Sequence, residues 1–275
     1  MDYRLESGTP VELGLRLVAS AEIHTALDNA RQLPEAHAVH ELRKHCKKLR
    51  ALLRLVYRDK NLRYKLENNR YRNIAQRLSA SRDLVSVRAA LLSLAPPAHF
   101  EKMHRLLQQM LNAEPEQGSF QRVEELLTQA QADIHKWPPQ NIHWEDIASA
   151  YSRDYRRARK AWMATRYGDN AHKLHQLRKR VKSHWYHSRL LGGRYPQSIE
   201  IRCEPLGQLA QILGDWRDLF LLRSLAITTS KSLGKELIRL LEMTDWQKER
   251  LRREIDARCR ALFSHKTFSE RKASV

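Results

Sequence analysis

The 275-residue chain is poor in the residues that punctuate most other folds: nine glycines, nine prolines and three cysteines. So few backbone breakers argue against an all-β fold built on many tight turns. They also leave little room for a glycine-rich phosphate cradle, and neither GxxxxGK[ST] nor GxGxxG occurs. Cys46, Cys203 and Cys259 are far apart, odd in number and without a CxxC pair, which fits neither a secreted disulfide framework nor a cysteine-built zinc or redox centre. No apolar run approaches the roughly 18 residues of a membrane span. Met1-Asp2-Tyr3-Arg4 lacks the basic-then-apolar layout of a signal peptide. A cytoplasmic location with no membrane partner is the expectation. Acids are scarce as well: 31 Asp and Glu against 50 Lys and Arg give a formal net charge of +19. With 42% hydrophobic residues the chain is too apolar for a disordered basic tail, and its charge points to polyanionic partners.

Helical periodicity fills the chain. Thr9-Pro10 suits the start of a helix over 11–30. Pro34-Glu35 opens a second over about 34–59, and a third over about 64–95 stops at Pro96-Pro97. Further helices are expected near 98–112, 119–136, 144–168, 171–191, 206–231, 233–243 and 245–264. Trp137-Pro138-Pro139 is the clearest linker. Segment 265–275 is polar and expected to be a disordered tail.

An internal repeat organises these helices. His40-Glu41-Leu42-Arg43-Lys44 recurs as His175-Gln176-Leu177-Arg178-Lys179, and the same offset carries Lys47 onto Lys182. It also relates Ala75-Gln76 to Ala210-Gln211, Leu78 to Leu213, and Arg82-Asp83-Leu84 to Arg217-Asp218-Leu219. The chain therefore reads as two homologous helical halves, 1–136 and 144–264, joined by a proline-rich linker at 137–143.

Helical geometry gathers the cations of each motif. With His40 at 0° and about 100° per residue, Arg43, Lys44, Lys47, Arg50 and Arg54 fall within an arc of about 120°. Leu42, Cys46, Leu49, Leu53 and Val56 lie opposite, as a core stripe. His175, Arg178, Lys179, Lys182 and Arg189 repeat the basic arc, with Trp185 in place of Arg50 and with Leu177, Val181 and Leu191 facing the core. One such face could be a solvated surface with long stems over apolar groups. Its duplication points to a track that binds a polyanion. His40 and His175 would donate hydrogen bonds to phosphate and gain charge near pH 6.5 or below.

Arg82-Asp83 and Arg217-Asp218 read as mid-helix pairs. Aspartate is a poor helix former there, so Asp83 and Asp218 are expected in structural ion pairs, with Arg82 and Arg217 assisting at the phosphate. The spacings His172/His175 and His184/His187 could each share a metal. No acidic or cysteine third ligand accompanies them in sequence, so no metal, cofactor or catalytic residue is expected. Trp162, Trp216 and Trp246 are read as core.

These residues resemble the CHAD family, the α-helical domain named for its histidine. The pattern is His40-x-Leu42-Arg43-x-x-x-Lys47-x-x-Arg50 followed by Arg82-Asp83-Leu84. It returns as His175-x-Leu177-Arg178-Lys179-x-x-Lys182 followed by Leu213-Gly214-x-x-Arg217-Asp218-Leu219, and the likeness covers about 9–264. Trp185 stands where many relatives carry a basic residue. The resemblance implies an all-α fold of two pseudo-symmetric antiparallel four-helix-type bundles with a basic central surface or pore. It also implies binding of inorganic polyphosphate and association with polyphosphate granules, whose protein partners the sequence does not name. Phosphate-like or sulfate-like anions would bind the same residues. Nucleic acid is the alternative partner, but base recognition calls for interleaved aromatics, and only Trp185 and Tyr186 lie on the arcs. A metal-dependent phosphate-transfer enzyme is the third possibility; it needs carboxylates for Mg²⁺, and near the motifs only Glu41, Asp83 and Asp218 are available.

Overall fold

The computed structural model describes residues 3–6, 8–57, 61–78, 80–112, 119–138, 141–166 and 171–268, without the side chains of 35, 36, 80–82 and 119. Among the described residues every regular element is a helix. They are α1 (Val11–Gln32), α2 (Glu35–Val56), α3 (Leu62–Arg77), α4 (Ala80–Leu94), α5 (Glu101–Asn112), α6 (Ser119–Ala132), α7 (Trp144–Thr165), α8 (Ala171–Leu191), α9 (Cys203–Thr228), α10 (Ser230–Leu233) and α11 (Glu236–Leu262), with three short 3-10 turns between them.

Local chemistry sets several ends. Asn61 caps α3 by accepting from the Tyr64 N–H. α7 starts on a reciprocal box in which the His143 side chain accepts from the backbone of Asp146 and the Asp146 carboxylate accepts from the His143 N–H. α1 begins at Val11 as expected, with Pro10 rather than Thr9 at the cap position, and runs on to Gln32. Gly234, at φ +55°, closes α10 in a conformation that a side chain would strain.

Two helix expectations change. The span 64–95 is two helices, not one. α3 ends at Arg77, and the following Leu78-Ser79-Ala80-Ser81 carries the serines favoured at helix starts. As a result Asp83 sits in the first turn of α4 rather than mid-helix, where its charge complements the helix dipole. Conversely, 245–264 and most of 233–243 form one helix, α11. Thr244, buried in its middle, donates from Oγ1 to the carbonyls of Leu240 and Leu241 and so is satisfied inside the helix.

The helices enclose two hydrophobic cores. The first takes Leu15, Ile23 and Leu27 of α1, Leu42, Leu49 and Leu52 of α2, Tyr71 and Ile74 of α3, Val123 and Leu127 of α6, and the adjoining ends of α7 and α8. The second takes Trp162 of α7, Leu174 and Leu177 of α8, Leu213 and Leu222 of α9, and Leu251 and Ile255 of α11. To these it adds Val87 and Leu91 of α4 and Met103 and Leu107 of α5. The cores thus do not follow the two halves of the chain: α4 packs on α9 and α5 on α10, so 80–112 belongs to the second core.

Trp185 and Phe268 touch both cores. Trp185 lies so close over α9 that its Nε1 is 3.0 Å from where a Cβ on Gly207 would stand. Phe268 corrects the expected tail. It packs edge-on against Tyr151 at 4.9 Å and near Tyr155 at 5.8 Å, so order extends through 268, and 269–275 lie outside the described residues. Phe268→Ala should cost about 2 kcal/mol, less than a fully buried Phe because the ring is only partly covered. Denaturant unfolding of the two chains measures it. Trp246 is a second correction: it is 68% exposed, whereas Trp162 and Trp216 are buried. Val56, expected in the core stripe, is only half-buried.

Candidate anion-binding surface

The two motif helices touch each other. α8 crosses α2, which also packs against α1, α3 and α7. The crossing explains why the core stripe of α2 is wider than its spacing suggests. Leu52, Leu55 and Ala51, at about 120°, 60° and 20° from His40, are all buried. Ala51 therefore lies buried in the middle of the basic arc, and its carbonyl accepts a hydrogen bond from His187 of α8 at 2.7 Å.

Around this crossing the cations of α2, α3 and α8 share one environment. Burial lowers the Arg50 guanidinium to about 10, and the charges of Arg54 and Arg72 add to the shift; its Nε donates to Asn68 Oδ1 at 3.0 Å. The Lys179 ammonium is held below the usual lysine range by partial desolvation and then by Arg50, Arg54, Arg72 and Arg180. Arg72 and Lys179 are both exposed, and among the described residues no ion pair joins either to a carboxylate. Like charges at such range repel, and a polyanion laid across them would relieve that repulsion.

The other sequence-derived residues divide by what holds them. Lys44 is paired with Glu41 at 2.8 Å, so one of the few acids near the arc does neutralise a cation there. The Arg43 guanidinium donates to the carbonyls of Ala75 and Leu78, at 2.5 and 3.1 Å. It thereby satisfies the open carbonyl end of α3, which makes Arg43 a helix cap rather than an outward cation. Arg178, its counterpart in the second half, lies over Gly214 within the unbroken α9. Lys182 and Arg189 sit over the Trp185 ring at 4.4 and 5.3 Å, a cation–π arrangement that turns both toward the inter-core contact. Arg217 reaches Asp83 at 3.1 Å and Asp218 at 3.1 Å, joining α4 to α9; two carboxylates offset its charge.

His175 is held below the usual histidine range by burial and by Lys179, Arg217, Arg178 and His172. It therefore stays neutral at pH values where an ordinary histidine would charge. His40 is exposed near the start of α2, and Lys47 is half-buried at its middle. Arg82 lies in α4, but its side chain is outside the described residues.

Arg72 was not legible as a site residue. It lies outside both motifs, and the equivalent position in the second half is Gly207, so the repeat carries no signal for it. Only the α2–α3 hairpin brings it to Lys179. The sequence also concealed a meeting of His184 and His187 with an acid: Asp154, from α7, is 3.1 Å from His187.

The fold and surface define a class: an all-helical, two-core protein whose paired motif helices expose cations at their crossing. The CHAD domain family model matches residues 18–226, and the chain belongs to that family. Among solved structures it is similar to the crystal structure of the CHAD domain from the plant Ricinus communis. The two share 15% identity, the match covers 97% of this chain and 98% of that one, and the TM-score is 0.65. No curated protein matches. No described helix is long and apolar enough to cross a membrane.

Proposed function

We propose that this protein binds linear inorganic polyphosphate along the surface where α2, α3 and α8 meet, and that it does so without catalysing a reaction. The carrying observation is the exposed pair Arg72 and Lys179, free of carboxylates among the described residues and set beside Arg50 and Arg54. His40 and Lys47 would extend the track along α2, and His175 would reach it from α8 as a neutral hydrogen-bond donor. In this reading the two motif helices are equivalent halves of one pseudo-symmetric basic surface. Membership of a family linked in general to polyphosphate binding supports it, as does the chemistry of the ligand. A bare phosphate chain offers charge and oxygen acceptors but no base to stack, which suits Arg forks and Lys point charges without aromatic platforms. In a cell that stores polyphosphate, such a cytoplasmic protein would gather on its granules.

Binding titrations with tripolyphosphate and with long chains, repeated over a salt series, test the proposal. Affinity should rise with chain length, and log K should fall linearly with log salt because condensed counterions are released. Equal affinity for the two ligands at moderate salt would remove the extended track. Excess polyphosphate should displace single-stranded and double-stranded nucleic acid far more readily than the reverse. Release of orthophosphate on incubation with polyphosphate and Mg²⁺ would make the protein an enzyme and overturn the non-catalytic reading.

A further inference from the structure

Beneath the α2–α8 crossing lies a buried polar cluster that polyphosphate binding does not use. His184 and His187 lie one helical turn apart, and Asp154 projects toward them from α7. Asp154 Oδ2 is 3.1 Å from His187 Nδ1 and 3.8 Å from His184 Nδ1. One donor atom from each of the three falls within 4.8 Å of the others, and all three side chains are buried.

The hydrogen positions follow from the partners. His187 Nε2 faces the Ala51 carbonyl, which can only accept, so Nε2 carries the hydrogen and Nδ1 of the neutral ring presents a lone pair. That lone pair points at a carboxylate oxygen, itself an acceptor. Among the described residues neither His187 Nδ1 nor Asp154 Oδ2 has a hydrogen-bond partner, and the same is true of both ring nitrogens of His184. With His187 neutral these buried acceptors converge with no donor between them, and they call for a cation: either a proton on His187 Nδ1, which would give the 3.1 Å contact to Asp154 as an ion pair, or a metal ion.

We propose that Asp154, His184 and His187 form a binding site for a late first-row divalent metal ion, with Zn²⁺ as the reference ion. Tetrahedral zinc with bonds of about 2.0–2.1 Å sets its ligand atoms roughly 3.3 Å apart; the two separations from Asp154, 3.1 and 3.8 Å, bracket that value, and the set as a whole, within 4.8 Å, would draw together on loading. A metal-bound imidazole usually donates its other N–H to a carbonyl or carboxylate, and His187 makes that bond to Ala51. Arg54 acts on Asp154, and Arg202 on His184. These nearby guanidiniums oppose an added cation, so the site selects ions that gain most from imidazole, not Mg²⁺ or Ca²⁺.

The repeat supplies an internal comparison. At the offset that carries His40 onto His175, Asp154, His184 and His187 correspond to Ala19, Leu49 and Leu52. Those three are 1%, 2% and 0% exposed in the first core. The same helix positions are thus filled by an apolar trio in one half and by a His₂Asp trio in the other. Helix packing alone does not demand the polar set.

The comparison also supplies the test variant, Asp154→Ala/His184→Leu/His187→Leu. The full chain is stripped of metal, refolded with equimolar Zn²⁺ or Co²⁺, and desalted. The wild type should retain one metal per chain, show the visible absorption of low-coordinate Co²⁺, and melt at a higher temperature when loaded. Excess Mg²⁺ should not displace the ion. The triple variant should fold, lose the Co²⁺ band and retain no metal. A wild type that retains no metal and shows no Co²⁺ band overturns the site and leaves the cluster holding only a proton. Equal retention by the triple variant also overturns it, by placing the metal elsewhere, such as at the exposed His172. Should the triple variant misfold, His187→Gln read by the same Co²⁺ spectrum decides in its place. Polyphosphate binding is not read in any arm, so this site and the basic surface stand or fall separately.

Discussion

Reversing two charges, Arg72→Glu with Lys179→Glu, should lower affinity for long-chain polyphosphate on the order of 10²-fold or more. A hydrogen bond to a charged group contributes about 1.5–3 kcal/mol, and about 1.4 kcal/mol is a factor of ten. Losing two such contacts therefore reaches 10² before the added repulsion of two carboxylates is counted. The salt slope should become shallower, because fewer phosphates are neutralised. Both side chains are exposed and, among the described residues, neither is in an ion pair, so far-UV circular dichroism and the melting temperature should hardly move. Lys44→Glu is the control, since Lys44 is already paired with Glu41 and should cost much less. If the double variant bound within threefold of the wild type at moderate salt, the crossing of α2, α3 and α8 would not be the binding surface.

How much of this surface the sequence disclosed depends on whether its geometry is local or tertiary. The cation arc of α2 is a property of one helix, so spacing alone placed His40, Lys47, Arg50 and Arg54 together. Spacing could not show that α8 crosses at Ala51, because that depends on which helix buries which face; the same crossing brought Lys179 to Arg50 and Arg54. Arg43 belongs to the same arc, yet its guanidinium turns to the end of α3. The periodic pattern ran through that break without a glycine or proline to mark it, so the carbonyls needing a donor were invisible. Along the chain the polar stripe of α8 shows two histidines and no third ligand, because Asp154 stands on the preceding helix, well outside the window of a local motif. The transfer of α4 and α5 to the second core had a related cause. Each helix is amphipathic in its own right, and amphipathicity names a buried face without naming its partner.

A large stability loss is expected at Glu22→Gln, about 3 kcal/mol. Glu22 of α1 is buried. Its Oε1 accepts from Lys48 Nζ at 2.7 Å and its Oε2 from His45 Nδ1 at 2.5 Å. Asn29 Nδ2 faces His45 Nε2 at 3.2 Å, so Nε2 accepts and Nδ1 holds the hydrogen given to Glu22. Lys48 is itself mostly covered and lies over the Tyr3 ring at 5.3 Å. Glutamine keeps the shape but removes the charge, leaving the Lys48 ammonium buried without a counterion. Breaking one side of a buried pair costs about 3–5 kcal/mol, and the residual exposure of Lys48 favours the lower end. For a chain of this size the melting temperature should fall by roughly 6–12 °C.

The pH dependence carries the same signature. Burial alone would raise the Glu22 carboxyl, but hydrogen bonds from His45 and Lys48 and the Lys48 charge outweigh it and hold the group below the usual carboxylate range. A depressed carboxylate contributes stability that is fully present above its unfolded value and is lost as the pH falls through the folded one. Wild-type stability should therefore decline below about pH 4.5, and Glu22→Gln should flatten part of that limb. Replacing both partners, Glu22→Leu with Lys48→Met, should recover much of the loss, because an apolar pair leaves no stranded charge. Chemical denaturation at pH 7 and pH 4 measures all of these. A Glu22→Gln chain as stable as the wild type at pH 7, within the roughly 0.5 kcal/mol typical of an inconsequential surface change, would mean that water, not Glu22, satisfies Lys48.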